Sequence, residues 1–210
     1  MQPLATITQN DLDLFYKDLG TLRNDKLFAI TSNKDLLYNC IAWAMGTNQM
    51  WVATYRNVPW IWWPPACSLD QSPQSLVDTF AFVGFEICDN NLYEDDYDKV
   101  ILYELNGKWT HAARVLSNDV CYSKFGESWD GHHSNNDDIF DGTIYGRAYA
   151  YMKRLKTDAH KTDDIIPQRI SPVVNRDAWS LHLDRIRAVH KAKKLRVAFC
   201  GHDNSKGIIY

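Results

Sequence analysis

The run KVILYELNGKWTHAARVL, residues 99–116, constrains the fold of this chain more than any other. Two stretches rich in aliphatic and β-branched residues flank Asn106-Gly107, and Asn-Gly is the dipeptide that best tolerates the positive φ angles of a two-residue hairpin turn. The pattern predicts antiparallel strands over 99–105 and 109–116. Ser117-Asn118-Asp119 predicts a second turn, and VCYSKF (120–125) a third strand, giving a β-meander. TIYGRAYAYMK (143–153) alternates as a fourth strand would, although a helix there stays open. GESWDGHHSNNDD between them reads as a polar loop. On a regular pleat Trp109, His111, Ala113 and Val115 share one face, so His111 is a lone polar group on an apolar surface.

Helices are expected before the meander. Asn10 is a candidate N-cap for a short helix carrying Leu12, Phe15, Tyr16 and Leu19, with Gly20 as its stop. A second helix can start in two ways. Ser32 caps it early in SNKD, or Asn39 caps a shorter helix from Cys40 to Met45; Gly46 ends either version. Ser72-Pro73 is a strong start for a third, with Leu76, Val77, Phe80 and Val83 as its buried stripe and Gly84 as its end. Between the second and third, NVPWIWWPP (57–65) is a stiff aromatic loop, either a hydrophobic plug or the wall of a cleft.

The 210 residues and 45% apolar content support a sizeable core. With 23 basic and 26 acidic residues the formal charge is −3, which gives no general argument for nucleic acid or for an anionic membrane. The five cysteines, Cys40, Cys67, Cys88, Cys121 and Cys200, are scattered and form no C-x-x-C pair, so neither a disulfide framework nor a zinc site is expected, and no cofactor is implied. The N-terminus lacks the features of a signal peptide and no run reaches the roughly 18 apolar residues of a membrane span, which points to the cytoplasm, with export by another route left open. Composition changes near residue 156. Residues 1–155 are expected to form an α+β domain, and 156–210 a linker followed by a helical extension from Asn175. That extension carries six basic residues from Arg185 to Arg196 with no acid among them.

The blocks YNCIAWAMG and KVILYELNGKWTHAARVLSNDVCYSKFG, in this order, resemble the core of papain-like thiol hydrolases, especially the NlpC-type bacterial endopeptidases. They also look like a bacterial family with N-C-I-A-W-A, Trp-Pro and H-A-A-R blocks, which brings no activity with it. The first resemblance implies a Cys-bearing helix packed on an antiparallel meander. It also implies Cys40 as nucleophile, His111 as base and Ser123 in the orienting position, where such families usually carry His, Asn or Gln. Lys124, the neighbour of Ser123, should point to the opposite face. Asn39, Trp60, Trp62, Trp63 and His132 are the candidate substrate-binding residues, and the loop that carries Glu127, Asp130, His132 and His133 could fold back over the site.

The chemistry needs such a pair, because a free thiol with a pKa of about 8.5 is mostly protonated at neutral pH. A nearby imidazole supplies the base and later protonates the leaving amine. The expected function is therefore a cysteine-dependent hydrolase or acyltransferase acting on amide or isopeptide bonds in a peptide or protein. A catalytically inactive papain-like binding module would keep the aromatic cleft without needing the dyad. A polyanion-binding protein would use the basic C-terminal helix and lose affinity steeply with salt.

Overall fold

The fold is described from a computed structural model covering residues 6–55, 58 and 60–167. The basic helix expected from Asn175 and the strand-like LRVAFC lie outside the described residues. In chain order the strands are β1 (Ala29–Ile30), β2 (Trp51–Val52), β3 (Ile61–Trp62), β4 (Glu86–Cys88), β5 (Tyr97–Leu105), β6 (Lys108–Val115), β7 (Val120–Lys124), β8 (Asp130–Ser134) and β9 (Arg147–Leu155). The α-helices are α1 (Gln9–Asp18), α2 (Cys40–Met45), α3 (Pro73–Phe82) and α4 (His160–Ile165).

The hairpin forms where its turn chemistry places it: Asn106 and Gly107 adopt φ of 55° and 74°, and β5 pairs antiparallel with β6. Around this pair seven strands assemble in the order β1-β8-β7-β6-β5-β9-β4, every neighbouring pair antiparallel. Two stretches read as loops contribute strands. DGHHS is a strand, β8, paired with β7 and β1, where a polar loop was expected. The aromatic run contributes β3, which pairs in parallel with β2 in a separate two-stranded sheet.

A one-residue irregularity changes which side chains share a face. Tyr103 pairs with His111 but Glu104 pairs with Trp109, so Thr110 is an extra residue on β6. Such a bulge reverses the alternation on either side of it. Trp109 therefore packs among the residues of the α2 face and stacks on Trp63 at 5.8 Å, while His111 turns to the opposite face. The expectation that Trp109 and His111 share a face is overturned by this bulge. β9 carries a matching irregularity: Leu102 pairs with Ala150 and Tyr103 with Ala148, leaving Tyr149 as the extra residue.

The sheet thus has two cores. On one face α2 and α3 bury Ile41, Met45, Leu76 and Phe80 against Val100, Leu102, Ala112 and Met152. On the other, Phe15, Leu19 and Leu22 cover Ile101, Tyr103, Ala113, Phe125, Trp129 and Phe140. The first helix is capped by Thr8 in a capping box with Asp11, two residues before the expected Asn10. α3 begins as expected, with Ser72 as N-cap and Pro73 in its first turn. Residues 156–165, read as linker from composition, instead form a 3-10 turn and α4, and Thr162 of α4 donates to the carbonyl of Met45 at 2.8 Å.

Candidate functional site

Of the two possible starts for the Cys40 helix, the structure takes the later one. Asn39 is the N-cap, and Cys40 is the first residue of α2. The Asn39 side chain is held from three directions: Oδ1 accepts from the N–H groups of Ala42 (3.1 Å) and Val52 (3.2 Å), and Nδ2 donates to the Val52 carbonyl (2.8 Å). A helix starting at Ser32 would forfeit these bonds. Ser32 instead accepts from the N–H of Asp130 at 2.8 Å, fastening the chain before α2 to β8. Asn39 is buried and both ends of its amide are engaged, so here it fixes the position of Cys40 rather than presenting a group to solvent.

The Cys40 thiol is buried, and burial pushes its pKa up to about 11. Backbone N–H groups of Ala112, Ile41 and Cys40 itself, and the charge of Lys124, pull the other way. Contact with Ala112 places the cysteine against β6 one residue beyond His111. Here the sheet is incomplete. β6 and β7 pair at Arg114↔Tyr122 and Val115↔Cys121 but are not paired farther on, toward His111 and Ser123.

Across that unpaired stretch the side chains make the connection. Nε2 of His111 lies 2.9 Å from Oγ of Ser123, and the same hydroxyl lies 2.8 Å from Nε2 of His133 on β8. Nδ1 of His133 in turn lies 2.9 Å from the Ser134 carbonyl. Asp25 secures Ser134, accepting from its N–H at 2.8 Å and from its hydroxyl at 2.5 Å. The His111 ring is fully buried in an aromatic box, stacked on Tyr145 at 3.9 Å and edge-on to Phe140 at 5.2 Å. Burial holds its pKa well below the usual histidine value, and that of His133 is lowered to about 4 for the same reason. Both imidazoles are neutral at pH 7.

The opposite face of β7 carries a second polar group. Lys124 is fully buried and donates to the carbonyls of Gly126 (3.0 Å) and Ser128 (2.6 Å), with its ammonium 5.2 Å from the Tyr38 ring. Tyr38 donates to Oδ2 of Asp130 at 2.8 Å, while Oδ1 of Asp130 is buried without a hydrogen-bond partner. Desolvation lowers the Lys124 pKa, whereas the Asp130 and Cys40 charges support its ammonium form. As the alternation of β7 predicts, Ser123 and Lys124 point to opposite faces.

The structure thus brings Ser123 to His111, but it joins Cys40 and His111 by no hydrogen bond. Nε2 of His111 is taken by Ser123, Nδ1 has no partner, and the two residues belong to the cores of different faces. Among the aromatic candidates, Trp63 is buried and donates to the Ser68 carbonyl at 2.9 Å, so it belongs to the core. Trp62 is half-buried against Phe82, and the Trp60 carbonyl accepts from the N–H of Trp51. His132 lies edge-on to Tyr122 at 4.8 Å, on the face of β8 opposite His133. His133 and Asp130, expected in a loop folding back over the site, lie instead on β8, and Lys124 takes the opposite face as expected; the neighbour that sequence reasoning missed is Tyr145. DGHHS has neither apolar alternation nor a β-branched residue, so no strand signal marked the segment that carries His133.

Residues 29–153, from β1 into β9, match a family described as Domain of unknown function (DUF7689). The chain belongs to the DUF7689 family. The matched segment contains Tyr38, Cys40, His111, Ser123, Lys124, Asp130, His133 and Tyr145, whereas α1 and α4 lie outside it. No curated protein and no solved structure matches the chain. Among the described residues no helix of this DUF7689 protein is long and apolar enough to cross a membrane, and no cluster of His, Cys, Asp or Glu has the arrangement of a metal site.

Proposed function

We propose that this chain is a cysteine-dependent acyl-transfer enzyme acting on amide or isopeptide bonds, in the class of peptidases, amidases and deamidases. Cys40 is its nucleophile, His111 its base, and Ser123 orients that base. The observation that carries the reading is the state of the His111 ring. One nitrogen is fixed by Ser123 and the other is buried with no partner, on the residue that precedes Ala112 in β6, whose backbone N–H meets Cys40. A buried acceptor without a donor costs about 1–3 kcal/mol, and such a group calls for a role.

This reading requires a contact that the structure does not contain: the Cys40 sulfur has to come within reach of Nδ1 through the unpaired stretch between β6 and β7. The thiol proton passes to Nδ1, and the sulfur attacks the carbonyl carbon of the substrate. The amide C–N bond breaks as the imidazolium returns the proton to the leaving nitrogen. A water, deprotonated by the same nitrogen, then cleaves the thioester. The neutral His111 suits the first of these steps, because an imidazolium could not accept the proton.

A second reading, a binding module without catalysis, is favoured by the Cys40 pKa of about 11 and by the missing hydrogen bond between the two residues. Alkylation by iodoacetamide at pH 6 to 7, with the modified cysteines mapped by mass spectrometry, separates the two. The enzyme reading expects Cys40 to react faster than Cys67 and Cys121, and His111→Gln to remove that advantage, with Cys40→Ala and His111→Gln each abolishing cleavage of amide substrates. Equal reactivity of all three cysteines, unchanged by His111→Gln, would favour the binding module.

A further inference from the structure

We infer that His133 is a positioning residue which sets the tautomer of His111 through Ser123. Its catalytic meaning rests on the reading of Cys40 and His111 given above, but the relay itself does not. The argument is one of hydrogen-bond polarity. Nδ1 of His133 faces the Ser134 carbonyl at 2.9 Å; a carbonyl oxygen only accepts, so Nδ1 must carry the proton. His133 is neutral at pH 7, so its Nε2 is then bare and can only accept. The partner of that nitrogen is the Ser123 hydroxyl at 2.8 Å, which must donate its single proton there. Having spent its proton, Ser123 Oγ can only accept from His111, 2.9 Å away. His111 therefore carries its proton on Nε2, and its Nδ1 lone pair is bare.

Each alternative leaves a fault. If Ser123 donated to His111, its oxygen lone pairs would face the bare Nε2 of His133 at 2.8 Å. If His111 were the other tautomer, an N–H in place of a lone pair would be buried at Nδ1 without an acceptor. The anchor of the chain is firm, because Asp25 holds Ser134 through both its backbone N–H and its hydroxyl. A lone Ser would be a weak orienting group for an imidazole. Backed by His133, its hydroxyl has one direction, and the acceptor nitrogen of the base is presented rather than hidden.

The test reads tautomers, not turnover. In 15N-labelled full-length protein near pH 7, long-range 1H–15N correlation spectra distinguish protonated from bare ring nitrogens. The inference expects Nε2–H with bare Nδ1 for His111, and Nδ1–H with bare Nε2 for His133. In His133→Phe the freed Ser123 hydroxyl can donate, so the His111 signals should move toward the Nδ1–H form; Ser123→Thr, which keeps the hydroxyl, should retain the wild-type pattern. His111 found as Nδ1–H in the wild type would overturn the inference, as would a folded His133→Phe variant with an unchanged His111 tautomer. Should that variant fail to fold, the wild-type spectrum and Ser123→Thr still decide. An unreactive Cys40 beside the expected tautomers would remove the acyl-transfer reading and leave the relay intact.

Discussion

His111 and His133 make the stability of this protein depend on pH. Both are buried, and burial depresses both pKa values, to about 4 for His133. In the unfolded chain each titrates near 6.5, so below that pH the unfolded state binds protons that the folded state refuses. Their contribution is therefore fully present above about pH 6.5 and is lost as the pH falls toward each folded-state pKa, about 4 for His133. His133 contributes a slope of up to about 1.4 kcal/mol per pH unit through this window, and His111 acts in the same direction. Asp130 opposes part of this, since burial raises its pKa and its protonated form favours the folded state. Two imidazoles outweigh one carboxyl, so urea midpoints at pH 7.5, 6 and 5 should fall steadily. A midpoint constant from pH 7 to pH 5 would mean that the rings are not buried neutral.

At the scale of elements, the start of α2 depends on one amide side chain. Without Asn39 the Ala42 N–H and both backbone groups of Val52 lose their partner, and β2 is no longer tied to the helix. Asn39→Ala should cost about 2–4 kcal/mol, combining a lost cap with buried groups left unpaired. Asn39→Asp keeps the acceptor but not the donor and should fall between, as thermal melts of the three proteins would show. Leu36 reinforces the same junction, since its carbonyl accepts from the Trp51 indole at 2.8 Å. A six-residue helix has little stability of its own, so these tertiary bonds hold Cys40 in place.

For the molecule as a whole, Arg154 connects the parts that pack on the α2 face. The residue is 2% exposed, and its guanidinium donates to the carbonyls of Val83 after α3 and Met45 at the end of α2, to the Thr162 hydroxyl in α4, and to Asp98 on β5. The Val83 and Met45 groups are helix-end carbonyls that the helices cannot satisfy themselves. Arg154→Met should destabilise the protein by about 3–5 kcal/mol, because the partners stay buried while their donor goes. The checks are the urea midpoint and proteolysis near α4, which loses one of its anchors. A loss below about 1 kcal/mol would show that water replaces the guanidinium.

What the sequence determined by itself was local. Asn106-Gly107 dictates its hairpin because few other dipeptides take positive φ twice, Ser72-Pro73 dictates the start of α3, and the buried runs of β5 and β6 follow from their aliphatic content. The closeness of Ser123 to His111 was also legible, given strands and a turn of the right length. The tertiary structure alone decided the rest. Ser32 and Asn39 are both good caps, and the choice between them rests on Val52 and Asp130, distant in sequence. The extra residue at Thr110 has no local signature, yet it decides that Trp109 and His111 face opposite cores. DGHHS has poor strand propensity and becomes a strand because β7 and β1 offer it two hydrogen-bonding edges. That pairing brings His133 to Ser123, since side-chain polarity is written in each residue but its partner is chosen by the register of the strands.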